Sequence, residues 1–291
     1  MPFTIKDIEN LSGIKAHTIR IWEQRYKFLK PTRSETNIRF YSNDELRIIL
    51  NIALLNKYGY KISHISQMSR ESICEKVLSL TDSDAKANVI VNDLLQYMVD
   101  FNIDSFEAIL ADFIKTAGIE KTVVQIIYPF LEKVGILWLT NHINPAQERL
   151  VSNVIRQKMI VGIDSISTKK TSSPKVCLFL PEGEYHELSL LFVEFLLKKK
   201  GVPVIYLGAN IPFEELKSVT TVKKPDYLYT HLTTAGLSFN FDKFLSTLNK
   251  DFRKFPIIIS GRLTNTYEKK IPQKIIFKRS LAEVKEFIST L

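Results

Sequence analysis

The sequence predicts a multidomain α and α/β protein with an N-terminal winged helix-turn-helix, a helical bundle and a C-terminal flavodoxin-like (Rossmann-like) parallel sheet. Three observations predict this order. Two short helical patterns flank Gly13 and precede a hairpin pattern, four longer helical patterns follow, and beyond residue 174 short apolar runs alternate with helices. The 291 residues suit two or three domains. We place these domains at residues 1–75, 82–168 and 174–291.

The first domain begins with a helix-turn-helix pattern. Thr4 and Asp7 predict the start of a first helix, and Gly13 supplies the tight turn before a second helix over residues 15–26. The 3.6-residue period gives the second helix one apolar side and one donor-rich side, as a recognition helix in the major groove requires. The apolar side carries Ile19, Trp22 and Tyr26, and the opposite side carries His17, Arg20 and Gln24.

A hairpin is predicted next, over residues 31–41, with Arg33 and Arg39 on its two arms. Ser42 and Glu45 form a capping box that starts the following helix, over residues 44–57. A hairpin between two helices is a wing, and we expect its arginines to contact phosphates. For a single arginine, a solvated surface charge is the alternative interpretation.

The rest of the chain is predicted to contain two further folds. Helical patterns near 84–99, 104–117, 119–140 and 145–168 have short connections, which indicates an antiparallel bundle. Apolar runs then alternate with helices, which indicates a parallel sheet covered on both faces. The runs are residues 176–180, 202–207, 227–232, 256–260 and 274–277, and the helices are 186–200, 212–222, 240–252 and 280–290. Polar linkers are predicted at 81–84 and 169–174.

Composition narrows the class of protein. No apolar run approaches the roughly 18 residues of a membrane span and no signal peptide is visible, so we expect a soluble cytoplasmic protein without membrane contact. The spacing of Cys74 and Cys177 indicates neither a disulfide framework nor a zinc site. The net charge of +9 divides into +4 for residues 1–75, −3 for 76–167 and +8 for 168–291. The acidic middle is therefore not a DNA surface, while Lys198-Lys-Lys200 before Gly201 is explained by the dipole of a helix end.

The N-terminal motifs resemble a known family. Arg20-Ile-Trp-Glu-Gln-Arg-Tyr26, Pro31-Thr-Arg33 and Arg39-Phe-Tyr41 are similar to the R-x-W-E-x-R, P-x-R and R-x-Y elements of the DNA-binding domain of MerR-family transcription regulators. The resemblance implies a homo-oligomer, dimer or tetramer, on double-stranded operator DNA, with RNA polymerase at the promoter as a further candidate partner. The candidate DNA-binding residues are His17, Thr18, Arg20, Gln24, Arg25, Arg33, Arg39 and Tyr41.

The loop after the first predicted strand of the third domain carries a second resemblance. Glu184-x-His186-x-x-Ser189 resembles the D-x-H-x-x-G signature of cobalamin-binding domains, and its Glu-x-His-Glu form resembles the light-responsive MerR subgroup of the CarH/LitR type. The resemblance implies adenosylcobalamin or methylcobalamin as the cofactor, with cobalt ligated from below by His186 and the imidazole oriented by Glu184. Thr230-His231-Leu232 matches the S-x-L element, and Ser260-Gly261 stands where the family has G-G beside the nucleotide tail. A surface loop histidine is the alternative for His186.

The bundle adds a third element. Relatives carry W-x(9)-E-H in the helices that cap the corrin, and this chain has Trp138 and Glu148 followed by Arg149. Trp138 is equally compatible with bundle core, and Glu148 with a first-turn charge that meets the helix dipole. In light-responsive relatives a histidine follows the tryptophan. Leu139 occupies that position here, and His142 is the candidate substitute.

Two functional hypotheses follow. In the first, the chain is a sequence-specific DNA-binding regulator whose operator binding or oligomeric state is controlled by cobalamin, with light as a further candidate signal. In the second, it is a cobalamin-independent MerR-type repressor whose C-terminal half only oligomerises or binds a partner protein. Glu184, His186, Trp138 and Glu148 favour the first hypothesis. Ser260 in the altered G-G element, Ser189 and the loss of the histidine at position 139 favour the second. We expect no enzyme, because 291 residues leave no room for a substrate barrel as well.

Overall fold

The computed structural model describes residues 2–26, 29–80, 83–139, 143–167, 174–233 and 239–291. They form two compact units, Met1–Ile155 and Arg156–Leu291. Most of the two predicted linkers, 81–82 and 169–173, lies outside the described residues. Within the described part of the chain, no helix is long and apolar enough to cross a membrane.

The first unit begins with the predicted winged helix-turn-helix. Thr4 and Asp7 form a reciprocal capping box, and Gly13 ends the first helix in the left-handed region with φ 75°. Ser42 and Glu45 form the second capping box. The wing pairs Arg33 with Arg39 across antiparallel strands, as predicted. The elements are β1 (Phe3–Thr4), α1 (Ile5–Ser12), α2 (Ala16–Tyr26), β2 (Thr32–Arg33), β3 (Arg39–Tyr41) and α3 (Asn43–Lys57).

Six further helices follow: α4 (Ile62–Ile65), α5 (Arg70–Leu78), α6 (Ser83–Val99), α7 (Ile103–Thr122), α8 (Tyr128–Leu139) and α9 (Pro145–Asp164). The predicted break between the second and third bundle helices is confirmed as a kink, because Gly118 has φ 80° and ψ 162° inside α7. A short π-helical turn, Val123–Ile127, then leads into α8. α9 ends four residues before the predicted limit of 168.

The winged domain packs on the bundle within the first unit. α3 packs against α6, and α1 contacts α8. The amide of Asn43 donates to the Asp100 carboxylate at 2.8 Å, and Gln96 donates to the same carboxylate at 2.8 Å. Burial raises the pKa of Asp93 on α6, while the charge of Arg47 on α3 acts in the opposite direction. Polar contacts therefore fix how α3 lies on α6.

The second unit is the predicted α/β fold. Its five strands are all parallel, in the order β5-β4-β6-β7-β8, which is the flavodoxin-like arrangement. α10 is buried nearly all round, and the four-residue α13 was not predicted because so short a segment has no readable period. The strands are β4 (Val176–Pro181), β5 (Val204–Ile211), β6 (Tyr227–His231), β7 (Ile257–Ser260) and β8 (Ile275–Lys278). The helices are α10 (Leu188–Lys200), α11 (Phe213–Lys223), α12 (Phe241–Asp251), α13 (Arg262–Asn265) and α14 (Leu281–Thr290).

Candidate nucleic-acid interface and cofactor site

The recognition helix α2 has the two predicted sides. Ile19 is fully buried and Trp22 is 7% exposed, so Trp22 is a core residue, as expected. The donor-bearing side chains lie on the outside of the helix. Those of His17, Arg20, Gln24 and Arg25 are exposed, and Thr18 is half-buried. The arrangement presents a row of hydrogen-bond donors and acceptors of the kind that reads base edges.

Both wing arginines are held by one carboxylate of the recognition helix. Nη2 of Arg33 donates to Oε1 of Glu23 at 3.0 Å, and Nε of Arg39 donates to Oε2 of the same residue at 2.7 Å. The Arg33 side chain keeps 42% of its surface exposed, whereas Arg39 keeps 17%. Glu23 therefore clamps the wing to α2. Sequence reasoning missed this role, although Glu23 is the glutamate of the W-E-x-R motif.

Tyr41 corrects one predicted DNA contact. Its side chain is fully buried beneath the wing, and its hydroxyl has no hydrogen-bond partner among the described residues. Burial raises the pKa of Tyr41 to about 12. β3 ends at Tyr41, where alternation points the side chain into the core, so this residue supports the wing from below.

At the end of the bundle, Trp138 and Glu148 lie in consecutive helices. Trp138 is 42% exposed at the end of α8, so it is not a packed core residue. Glu148 is in the first turn of α9, and its Oε1 accepts from the Ser152 hydroxyl at 2.7 Å. His142 lies outside the described residues, and the side chain of Leu139 is not described.

The loop after β4 holds an imidazole against a buried carboxylate. Glu184 is 3% exposed, while the side chain of His186 is 58% exposed. Nδ1 of His186 donates to Oε1 of Glu184 at 2.6 Å, and the backbone N–H of His186 donates to the same oxygen at 3.0 Å. With the proton on Nδ1, the neutral ring carries its lone pair on Nε2, the geometry of a metal-ligating histidine with a carboxylate partner.

Backbone contacts fix this loop to its neighbours. The N–H of Thr233, just after β6, donates to Oε2 of Glu184 at 3.2 Å. Asn210, in the left-handed region with φ 60°, donates its N–H to the Glu184 carbonyl at 3.1 Å and accepts from the Gly183 N–H at 2.9 Å. The carboxylate is thus positioned by β4, β5 and β6 together.

The ends of β6 and β7 form a buried polar cluster, where His231 and Ser260 are paired in register. The Ser260 hydroxyl is hydrogen-bonded to the Tyr229 hydroxyl at 2.6 Å and to Nδ1 of His231 at 2.8 Å. Burial lowers the pKa of His231 to about 4, so this ring is packed and is uncharged at neutral pH. Thr230 is fully buried, and its hydroxyl has no hydrogen-bond partner within the described residues.

Gly261 and Ser189 have different local roles. Gly261, with φ 99°, lies so close to the backbone of Leu232 that a Cβ would collide with the Leu232 carbonyl. The contact within the fold therefore requires glycine at this position. Ser189 lies half-buried in the first turn of α10, and Leu232 is buried.

A further cluster adjoins His186 and was not found from the sequence. Oε1 of Glu187 forms an ion pair with Nε of Arg156 at 2.7 Å, and Oε2 accepts a hydrogen bond from the Tyr206 hydroxyl at 3.3 Å. Both partners lie far from Glu187 in the sequence, and no motif signalled the cluster. Arg156 lies in the part of α9 that belongs to the second unit, so this contact ties the histidine loop to that part of the helix.

The single exposed imidazole of His186 suits a metal ion that is already bound by the ring of a cofactor. The described residues contain no group of three or more His, Cys, Asp or Glu side chains that could bind a bare metal ion. A corrin supplies its own ring nitrogens, so one axial imidazole is enough. His186 fits that requirement, and the unsatisfied hydroxyl of Thr230 is a second polar group that a bound molecule can satisfy.

Comparisons with known proteins agree with this division of the chain. Residues 3–72 match the family described as MerR HTH family regulatory protein, and residues 90–161 match the B12 binding domain. The chain therefore carries a MerR-type helix-turn-helix followed by a B12-binding-domain helical region.

Two curated relatives extend over almost the whole chain. It is 27% identical over 264 residues to the HTH-type transcriptional repressor CarA of Myxococcus xanthus, with 90% of this chain and 87% of that protein covered. It is 23% identical over 273 residues to the HTH-type transcriptional repressor CarH of the same organism, with 91% of each covered. The monomethylamine corrinoid protein of Methanosarcina barkeri shares the fold, with a TM-score of 0.54 and 15% identity over 69% of this chain and 98% of that one.

Proposed function

We propose that this chain, which joins a MerR-type DNA-binding domain to a B12-binding domain, is a transcriptional repressor whose operator binding is controlled by cobalamin. The observation that carries the proposal is the Glu184–His186 pair, in which a buried carboxylate orients an exposed imidazole at the carboxyl edge of a parallel sheet. Ligands of open α/β sheets bind at this edge. The two repressors that match over nine-tenths of the chain support the assignment.

Operator DNA would be read by α2 and positioned by the wing. Arg20 and Gln24 are the residues we assign to base edges, because long exposed donors on a recognition helix discriminate bases. His17, Thr18 and Arg25 lie on the same helix and complete that surface. Arg33 is the assigned phosphate contact of the wing, while Arg39 positions the wing through Glu23.

Cobalamin would be held at the carboxyl edge of the parallel sheet in the second unit. We assign His186 as the lower cobalt ligand, Glu184 as the group that orients it, and Thr230 as a hydrogen-bonding group for the bound molecule. The exposed Trp138 is assigned to the bundle cap, together with Glu148. Ser189, Leu232, Ser260 and Gly261 are the remaining candidates around the sheet edge. When bound, the cofactor supplies a cobalt–carbon bond that light can cleave.

Control of DNA binding would operate through assembly. A single winged domain reads few base pairs, so operator binding requires a dimer or tetramer, and we propose that cobalamin sets the oligomeric state. RNA polymerase at the promoter is the proposed partner whose access the bound oligomer controls.

A second candidate function is cobalamin-independent repression. It is favoured by Ser260, which stands in place of a family glycine and whose hydroxyl is fixed between Tyr229 and His231. If this side chain fills the space of the nucleotide tail, the C-terminal half would serve only to oligomerise or to bind a partner protein.

One experiment separates the two candidates. Full-length protein is mixed with adenosylcobalamin in the dark, separated from free cofactor and examined by visible absorption. The first proposal predicts a bound corrinoid for the parent and for His64→Ala, a control at an exposed histidine of α4, and strong loss for His186→Ala. Retention by His186→Ala equal to that of the parent would remove His186 from the site. A parent that retains no cobalamin would favour the second candidate.

A further inference from the structure

A cluster of exposed cations lies at the amino edge of the parallel sheet. Because the strands are parallel, all five begin at this edge, and the helices that precede them end there. The segments just before β5, β6, β7 and β8 contain eight exposed basic residues, which we name the amino-edge cluster. Its members are Lys199, Lys200, Lys223, Lys224, Lys250, Arg253, Lys254 and Lys274.

Few negative charges offset the cluster. Asp226 and Asp251 lie in the same segments, and Glu286 lies one turn before the end of α14. Asp226 also accepts from the backbone N–H of Lys175 at 2.7 Å, which fixes its carboxylate on the chain. Five positive charges therefore remain after these three are subtracted from the eight.

Helix dipoles do not account for that excess. α10, α11, α12 and α14 end at this edge, and each helix end carries a partial charge of about −0.5, or about −2 together. Lys200 has a structural role, since its ammonium donates to the carbonyl of Ile288 at 2.8 Å. An excess of about three positive charges remains on the surface after both kinds of compensation.

We propose that the amino-edge cluster binds the phosphate backbone of double-stranded DNA beside the operator, as a second contact that does not read sequence. The inference rests on the operator binding proposed above. Five strands at about 4.8 Å spacing give the edge a span of about 20 Å. A duplex carries one charge per about 1.7 Å, so this span faces on the order of ten phosphates.

The chemistry of the edge favours a nucleic acid over other anionic partners. Seven of the eight cations are lysines, which bind phosphates as point charges without demanding a fixed geometry. Val222 is 76% exposed. Among the described residues of these segments and of the adjoining helix ends, it is the one large apolar residue that is highly exposed. Binding to a membrane surface uses a buried apolar face, and a stable protein interface uses an apolar core. The described residues of the amino edge form neither an apolar face for a membrane nor an apolar core for a protein interface.

The cluster is separate from the candidate cofactor site. Glu184, Thr230 and Ser260 follow or end strands at the carboxyl edge, whereas the cluster precedes the strands at the opposite edge. DNA contact at the amino edge therefore leaves the cofactor edge accessible, and the two sites can be tested independently.

The test compares two full-length variants with the same change of net charge. The edge variant carries Lys223→Gln, Lys250→Gln, Arg253→Gln and Lys254→Gln, and the control variant carries Lys115→Gln, Lys121→Gln, Lys217→Gln and Lys243→Gln at exposed positions away from this edge. Each binds duplexes of mixed sequence of about two and about six helical turns, measured by fluorescence anisotropy over a salt series.

We expect the edge variant to bind the long duplex more weakly than the control, with a slope of log K against log salt smaller by about two to four. Both variants should bind the short duplex alike. Equal behaviour of edge and control variants on the long duplex would overturn the inference while leaving operator binding intact. A parent that binds neither duplex would instead overturn the proposed function. Loss of binding to phosphatidylserine vesicles by the edge variant, with DNA binding unchanged, would assign the cluster to membranes.

Discussion

The variant Glu23→Gln tests whether Glu23 acts mainly by holding the two wing arginines or mainly by repelling DNA phosphates. Glu23 lies on the recognition helix, where a negative charge repels phosphates, so its removal should strengthen DNA binding if charge alone matters. The structure gives Glu23 a second role, because it accepts hydrogen bonds from both wing arginines at 3.0 and 2.7 Å. We therefore expect Glu23→Gln to bind duplexes of any sequence more tightly while it loses preference for its operator.

The magnitude follows from the exposure of the two arginines. The Arg39 contact is largely shielded from solvent, and a hydrogen bond to a charged group in such a place contributes about 1.5–3 kcal/mol. The Arg33 contact is more exposed and contributes about 0–1 kcal/mol. We take half of the summed free energy of these two contacts to be lost from the operator complex when the wing loosens. The preference for operator over mixed-sequence DNA then falls by about 1–2 kcal/mol, or on the order of tenfold.

The assay is fluorescence anisotropy with operator and mixed-sequence duplexes over a salt series. Glu35→Gln is the matched control, since Glu35 is an exposed acid in the turn of the wing and its removal changes the charge equally. We expect a steeper salt dependence by about one in both variants and a loss of specificity in Glu23→Gln alone. The clamp would be refuted if the two variants retained the same ratio of operator to mixed-sequence affinity.

Three other expectations can be checked. Arg33→Ala should weaken binding to all duplexes and reduce the salt slope by about one, whereas Arg20→Ala should cost about 1–3 kcal/mol mainly on the operator in the same titration. Burial lowers the pKa of His231 to about 4, from the 6.5 of an ordinary histidine. The unfolded chain therefore takes up this proton first, and the free energy of unfolding should fall by up to about 3 kcal/mol as the pH falls from 6.5 to 4. His231→Asn should flatten that slope in denaturant titrations, and an unchanged slope would contradict the burial argument. Illumination of the adenosylcobalamin complex should cleave the cobalt–carbon bond yet give a weak or reversible change in oligomeric state on size-exclusion chromatography, because Leu139 cannot ligate cobalt. If illumination causes complete and stable disassembly, also in the variant His142→Ala, the presence of leucine instead of histidine at position 139 does not affect the response.

Local signals in the sequence were sufficient for most of the fold. The helix cap at Thr4, the capping box at Ser42 and the turn at Gly13 were predicted and are present. The break at Gly118 and the alternation of strands and helices beyond residue 174 were also predicted. These features depend on residues within one or two turns of each other, so the pattern of the chain carries them. The helices α4, α5 and α13 were not predicted, because segments of four to nine residues show little period of their own.

Long-range contacts could not be predicted from the sequence. The Glu184–His186 pair spans two residues and was expected, but the Glu23 clamp joins residues ten and sixteen positions apart, and the cluster around Ser260 joins side chains from two strands. Tyr41 shows the same limit, because a motif position does not say which side of a two- or three-residue strand faces the core.

The sequence by itself determined most of the segments that form helices and strands, and which side chains share a helix face, because those properties follow from the period of the backbone. Only the tertiary structure decided which segments lie side by side. It placed Glu23 between two arginines, Glu187 between Arg156 and Tyr206, and five strand starts with their lysines at one edge. The physical reason is that strand order and helix docking are set by the burial of whole apolar faces, a sum over many distant residues that no local motif records.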